Sequence, residues 1–505
     1  MARQLNDPQV TGQTATAGRA ASTAVPALAA AGPGHTGRAD HVDQAPGPGH
    51  SDRAAGIDRA GWRLLALAAG FVMAAVDATV VNVAGESLRQ RLGLGLSQLT
   101  WVVDGYTLTF AALLLLAGSL ADRFGARRLY LAGMTVFGLA SLACALAPDG
   151  SALVGARLVQ GAGAALFMPS SLTLLTASFP DPQRRARMVA LWSAIVSGSM
   201  ALGPAIGGVL VQTLGWRSIF LLNLPIGVFG LVLAARVVPS LPGRPARFAW
   251  AGHLLGAGML ALLCFTLIQG SVLGWGSAPI LGSISGTVIL GALFVRHLRH
   301  AERPVLPAAL FRSRAFAAAN AVGFLINCGV YGGTYLLGLF LQVAEGADAL
   351  TAGLEMLPAT GVFVLGNLLF ARMVRRTGVR RPLIAGTSLA GVVMLSLVTV
   401  SPAMPYGVLA ALLAVGNLGI GVAVPAMMAA LVEAVGPVNA NSGAATMNAN
   451  RQVGTLVGVA LTGIVLAATG GHWYTAAAVT FGICGAGYLT AALLAWRHVR
   501  PGDQI

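Results

Sequence analysis

The chain contains no lysine, so its formal charge of +15 comes from 32 arginines set against 17 acids. The absence excludes a phosphate-binding loop of the GxxxxGK[ST] type, and with it that route to nucleotide-driven work. A wholly arginine-based positive charge also fits a GC-rich bacterial genome, since arginine has GC-rich codons. A basic balance can signal nucleic acid. Here the arginines flank apolar stretches, which the positive-inside rule explains better. Charge of either sign is scarce: 10% of residues are charged and 56% are hydrophobic. A soluble fold of this composition would struggle to stay dissolved. Cysteine is scarce as well. Cys144, Cys264, Cys328 and Cys484 lie apart within apolar segments and form no CxxC pair. They read as small buried hydrophobes, neither a disulfide framework nor a metal site.

What the chain has in abundance is apolar sequence. About 20 apolar residues cross the hydrocarbon core as a helix. The 66 glycines suit close approach of such helices. From Leu64 onward, fourteen stretches qualify as spans: 64–84, 98–121, 128–147, 151–178, 188–212, 217–237, 249–271, 277–296, 314–342, 352–374, 381–400, 405–432, 443–468 and 475–497. The spans at 151–178 and 314–342 are long enough to tilt or kink. The expected class is an all-α polytopic membrane protein. Residues 1–60 hold no sustained apolar run and read as a disordered cytoplasmic tail. Within it, His35, His41 and His50 are expected to be solvated, and Ala24–Ala31 is too short for a signal-peptide core.

The arginines set the orientation. Arg123, Arg127 and Arg128 follow the second span, Arg184, Arg185 and Arg187 the fourth, and Arg236, Arg244 and Arg247 the sixth. Arg296, Arg299, Arg303 and Arg312 follow the eighth, and Arg372, Arg375, Arg376, Arg380 and Arg381 the tenth. All these loops fall on one side, which places both termini in the cytoplasm. The loop Arg123-Phe-Gly-Ala-Arg-Arg128 is echoed by Arg376-Thr-Gly-Val-Arg-Arg381, as duplicated halves would show. The expected division is an N-terminal six-helix bundle over 64–237, two additional helices over 249–296, and a C-terminal six-helix bundle over 314–497.

Charges inside the spans are the main functional signal, because intramembrane ionisable groups are costly and face a partner or a cavity. Counting 1.5 Å per residue, Asp77 lies roughly 10 Å from the outer end of its span, and Asp104 and Arg157 about 9 Å from theirs. Their common depth predicts one buried cluster. Burial favours the neutral acid and a nearby arginine favours the anion. A carboxylate poised between the two can carry a proton, with Arg157 orienting the acids. The alternative is a structural ion pair. Glu355, near the outer side of its span, is a candidate for attracting cations or an interfacial residue. Arg451, in the thirteenth span, is followed by Gly454 and Gly458, a sign of close helix contact. Trp101, Tyr106, Tyr331 and Tyr335 are candidates for an aromatic pocket, although a membrane-interface belt also accounts for Trp101.

Four motifs carry a resemblance. Gly118-Ser-Leu-Ala-Asp122-Arg123-Phe-Gly125-Ala-Arg127-Arg128 resembles the loop signature of the major facilitator superfamily. Arg157-Leu-Val-Gln160-Gly161-Ala-Gly163 is similar to that family's fourth-helix motif, whose arginine is implicated in proton coupling. Gly203-Pro204-Ala-Ile-Gly207-Gly208 is similar to the motif associated with antiporters. Asp77-Ala-Thr79-Val-Val-Asn82-Val-Ala resembles the first-helix motif of the fourteen-span drug/proton antiporters. Where that motif continues with Leu-Pro, this chain has Gly85-Glu86, and Ser199 stands where the fifth-helix motif often has Gly.

The resemblance spans roughly residues 64–497. It implies two rocking six-helix bundles with two inserted helices, and export of an amphipathic drug or antibiotic in exchange for protons across a bacterial cell membrane. It implies a switch loop at Gly118–Arg128 and proton coupling at Arg157, to which the depth of the buried charges adds Asp77 and Asp104; the candidate substrate contacts are Asn82, Trp101, Tyr106, Tyr331, Tyr335 and Glu355. No metal or cofactor, no enzymatic activity and no nucleic acid are expected. The partners are a small molecule, protons and lipid, and a monomer is expected. Secretion of an ordinary metabolite by the same chemistry is the second reading, and a transporter-like sensor the third.

Overall fold

The computed structural model describes residues 50–240, 243, 250–301 and 308–499. The tail expected over residues 1–60 lies outside this set up to residue 49, and residues 50–60 form the first turns of a helix. Helix is the only regular structure open to single apolar stretches in lipid, because it satisfies every backbone group internally. The described residues contain no strand. The helices are α1 (His50–Leu92), α2 (Leu96–Phe124), α3 (Ala126–Leu146), α4 (Gly150–Ser178), α5 (Pro182–Leu214), α6 (Arg217–Leu221), α7 (Asn223–Val237), α8 (Trp250–Leu273), α9 (Ala278–His300), α10 (Arg314–Val343), α11 (Ala349–Glu355), α12 (Leu357–Thr377), α13 (Arg380–Ser396), α14 (Tyr406–Ala468) and α15 (Trp473–His498).

Polar caps mark several starts. Asp149 accepts from the Ala152 amide at 2.9 Å, Asp181 from Arg184 at 2.6 Å and Asp348 from Thr351 at 2.7 Å. These helices supply fourteen stretches long and apolar enough to cross a bilayer. The two long spans at 151–178 and 314–342 are continuous helices. The breaks fall in the sixth and tenth spans instead, between α6 and α7 and between α11 and α12. Pro225 and Pro358 follow those breaks closely, each removing a backbone donor the helix would need. The twelfth and thirteenth spans are two limbs of α14, separated at Gly436, whose φ of 68° suits only glycine well.

In the first half, α4 packs on α2 and α3, and α7 on α3; in the second, α14 packs on α10, α12 and α13, and α15 on α10 and α13. The two halves repeat one detail. Gly125 (φ 91°) and Gly378 (φ 66°) turn the chain at equivalent loops. Arg127 then donates to the Ala235 carbonyl at the end of α7, and Arg380 to that of Trp496 near the end of α15. The inserted helices are asymmetric. α8 packs on both α2 and α14, whereas α9 packs on α8 and exposes Leu281, Val288 and Ile289.

The halves join at the end remote from the termini, here called the far end. Gln342 donates to the Val83 carbonyl at 2.9 Å, Thr360 to Ala201 at 2.9 Å, and the hydroxyls of Thr100 and Tyr335 lie 3.1 Å apart. Backbones meet closely there as well. A methyl group on Gly338 would come within 2.6 Å of the Asn82 carbonyl, and one on Gly353 would strike that of Pro204. Towards the near end α5 loses its cover: none of its described side chains from Gln183 to Met200 is buried.

Candidate functional site

Asp77 sits at the centre of a closed polar network. Arg157 Nη1 donates to Asp77 Oδ2 at 2.5 Å, Gln160 Nε2 to Oδ1 at 2.9 Å, and Asn223 Nδ2 to Oδ1 at 3.1 Å. Arg157 also donates to Gln160 Oε1 at 2.7 Å and to the Val102 carbonyl at 2.9 Å. Ser141 Oγ accepts from Gln160 at 2.9 Å and from Asn223 at 3.3 Å. The guanidinium stacks 4.6 Å from the centre of the Tyr106 ring. Asp77 is 0% exposed and Arg157 1%. Five helices (α1, α2, α3, α4 and α7) therefore converge on one ion pair. Burying charge at this depth is tolerable because almost every donor and acceptor has a partner.

Asp104 does not join it. Val102 and Tyr106 lie four residues apart and share the face of α2 that meets Arg157. Asp104 lies two residues from each, about 200° around the helix. Common depth was therefore insufficient to predict contact. Asp104 instead faces α8 and α10, within electrostatic reach of the Cys264 thiol and the Tyr335 phenol. It is 0% exposed, and neither carboxylate oxygen has a hydrogen-bond partner. One turn towards the far end, Thr100 bonds Tyr335, and a methyl on Gly463 would meet Thr100 Oγ1 at 3.0 Å. Asp104 thus lies directly beneath the seam between the halves.

The other motif residues divide by role. Pro204 and Gly208 form the α5 side of the join between the halves, meeting Gly353 and Ala349 of α11, whereas Gly203 and Gly207 pack α5 on α1 within the first half. Methyl groups on Gly203 or Gly207 would meet Thr79 or Val80 of α1, and one on Gly208 would lie 2.5 Å from the Ala349 carbonyl. Gly118 has open space where a Cβ would point, Gly125 makes the turn, and Asp122, Arg123 and Arg128 lie at the near-end surface, exposed or half-buried.

Among the proposed substrate contacts, Tyr106 and Tyr331 come within electrostatic reach of each other across the halves. Tyr331 in turn reaches Arg451. Asn82 and Tyr335 belong to the seam. Trp101 lines a far-end pocket of about 320 Å³ with Gln98, Gly150, Ser151 and Val154. Glu355 lines a small far-end pocket with Glu345 and Tyr406, apart from the aromatic pair.

Three members of the network went unassigned by sequence reasoning. Gln160 falls three residues after Arg157 and so shares its helix face. Asn223 is an amide inside an otherwise apolar span, a signal of the same kind as a buried charge. Ser141 carries no distinguishing mark.

These features define a polytopic helical transporter with duplicated halves. The pattern of the Major Facilitator Superfamily matches residues 66–459, and the chain belongs to that family. It is therefore a transporter rather than an enzyme, and a multi-pass protein of a bacterial membrane. The methylenomycin A resistance protein of Streptomyces coelicolor is 50% identical over 88% of this chain and 93% of its own length. The protein of the same name from Bacillus subtilis is 48% identical over 86% and 93%. The tetracenomycin C resistance and export protein of Streptomyces glaucescens is 31% identical over 80% and 75%. A crystal structure of a peptide transporter in complex with sulfate shares the fold, with a TM-score of 0.65 and 17% identity over 86% of this chain and 93% of that one.

Proposed function

We propose that the protein exports an amphipathic drug or antibiotic in exchange for protons, with Asp104 as the proton carrier. The observation that carries the reading is the position of Asp104: fully buried, without a hydrogen-bond partner, one turn beneath the closed seam. An ionised side chain inside a membrane helix costs roughly 2.5–3.5 kcal/mol on insertion scales. The neutral acid therefore suits the closed seam, and the anion suits a seam opened to water.

With both termini cytoplasmic, the far end faces outward. Asp104 is loaded from outside when the seam is open, and the neutral acid lets the seam close. The cargo then binds from the near end while the proton leaves inward, which favours reopening. Each proton moving down 100 mV supplies about 2.3 kcal/mol. The Asp77–Arg157 network holds the first bundle as one rocking body and stays intact through the cycle. Export as the direction of transport is supported by the resistance and export functions in the relatives' names.

The test is drug accumulation in inverted membrane vesicles with an imposed pH gradient. Uptake is expected to collapse with the gradient and in the Asp104→Asn variant. Uptake that persists unchanged after the gradient is dissipated refutes proton coupling, and gradient-driven uptake by Asp104→Asn removes Asp104 as carrier.

A further inference from the structure

We infer that the cargo carries a carboxylate, or an anionic group of the same shape, and that Arg451 receives it. This rests on the export reading above and adds the chemical class of the molecule moved.

Arg451 lies in the second limb of α14. Its stem packs on α10 at Gly323, where an added methyl would meet Arg451 Cγ at 3.4 Å. Arg157, the other deeply placed arginine, has an acid, an amide and a carbonyl to bond. Arg451 has nothing comparable. Its Nε is buried without a partner, and the ion pairs among the described residues are Arg157–Asp77 and Arg89–Glu86. Yet the residue as a whole is only half-buried, so part of its surface remains open. A lone cation within a membrane span is costly unless it meets water or a counter-charge. Among the described residues no acid pairs with it, so we read the site as one completed from outside the chain.

Its surroundings are a polar stripe of α10 whose amides are held by their own helix, which leaves Arg451 as the charged group there. Asn320, Gly323, Asn327 and Tyr331 recur at intervals of three and four along α10, which is one helix stripe. Asn450 donates to the Asn320 carbonyl at 2.6 Å, which ties the Arg451 region of α14 to that stripe. Tyr331 bridges towards Tyr106, which covers the Arg157 guanidinium. A guanidinium presents a planar fork of donors that matches a carboxylate with two parallel bonds. The far-end acids Glu345 and Glu355 line a separate pocket and do not neutralise Arg451. Exchange of an anion for a proton would also move two elementary charges per cycle, coupling export to the membrane potential as well as to pH.

The test compares 1-naphthylacetate with its neutral amide, 1-naphthylacetamide, as radiolabelled probes in inverted vesicles. The expected result is gradient-driven uptake of the acid and little of the amide. Arg451→Gln should lower kcat/KM for the acid about tenfold or more, the scale of a lost charge-assisted hydrogen bond. Arg451→Lys should recover part of that loss, since it restores charge without the fork. Uptake of the amide as fast as the acid overturns the inference. So does uptake of neither probe by vesicles that still accumulate a drug, or an unchanged acid KM in Arg451→Gln. Vesicles that accumulate no drug under any gradient refute the export reading itself. Insertion of each variant is measured as the amount of protein in washed membranes, and uptake is expressed per inserted protein, so that a folding failure is not read as a loss of anion binding.

Discussion

Removing the charge of Asp77 tests whether the central network is a true buried ion pair. In Asp77→Asn the volume is conserved, so no cavity term arises. The hydrogen-bond pattern is not conserved. Three donors aim at the carboxylate, from Arg157, Gln160 and Asn223. An amide replaces one acceptor oxygen with a donor, so at least one of these bonds becomes donor against donor. Arg157, 1% exposed, is left without a counter-charge. Breaking one side of a buried pair costs about 3–5 kcal/mol, whereas removing both charges is often close to neutral. Arg157→Gln in the same chain should therefore restore much of the loss. The residual cost is about 1–2 kcal/mol for the uncapped Val102 carbonyl and the lost stacking on Tyr106. The assay is reversible unfolding of the purified protein in mixed micelles against increasing denaturing detergent, read by circular dichroism for the parent, both single variants and the double. The expected coupling energy is about 2 kcal/mol or more, with the double variant more stable than Asp77→Asn. An Asp77→Asn variant within about 0.5 kcal/mol of the parent, or costs that simply add, would refute the ion-pair account.

Two further variants probe the same scaffold. Asn223→Leu deletes a bond to the Asp77 carboxylate and one to Ser141, and should lower unfolding stability by about 1.5–3 kcal/mol, measured as a shifted midpoint with unchanged slope; an unshifted midpoint would mean that the amide contributes nothing there. Gly353→Ala drives a methyl group into the Pro204 carbonyl and should pry the far-end seam apart. A cysteine at the seam position Asn82 should then react several-fold faster with a membrane-impermeant maleimide, in a background with Cys328 replaced by Ala, and an unchanged rate would show that the seam does not depend on that contact.

The spans were legible because lipid imposes a single requirement, apolar length, that composition reports directly. Observed helices such as Gly150–Ser178 and Arg314–Val343 lie within a residue of the expected limits. The ion pair was half legible. Depth counting brought Asp77 and Arg157 together correctly, because both happen to face the bundle interior. It failed for Asp104, because depth along a helix says nothing of direction around it. Ser141 was hidden for a related reason: a hydroxyl in an apolar span costs little and so signals little, whereas the Asn223 amide carried a signal that depth counting of charges alone passed over. The breaks at Pro225 and Pro358 could have been read from the prolines themselves.

The placement of α8 has a pharmacological consequence. It leans on a helix from each bundle, and a groove of about 390 Å³ opens between the three, edged by Gln98, Gln269 and Ser271. In the rocking cycle proposed above, whatever fills that groove sits between parts that slide past one another. A synthetic wedge lodged there would jam the machine without competing with its cargo, and raising the drug concentration would not dislodge it.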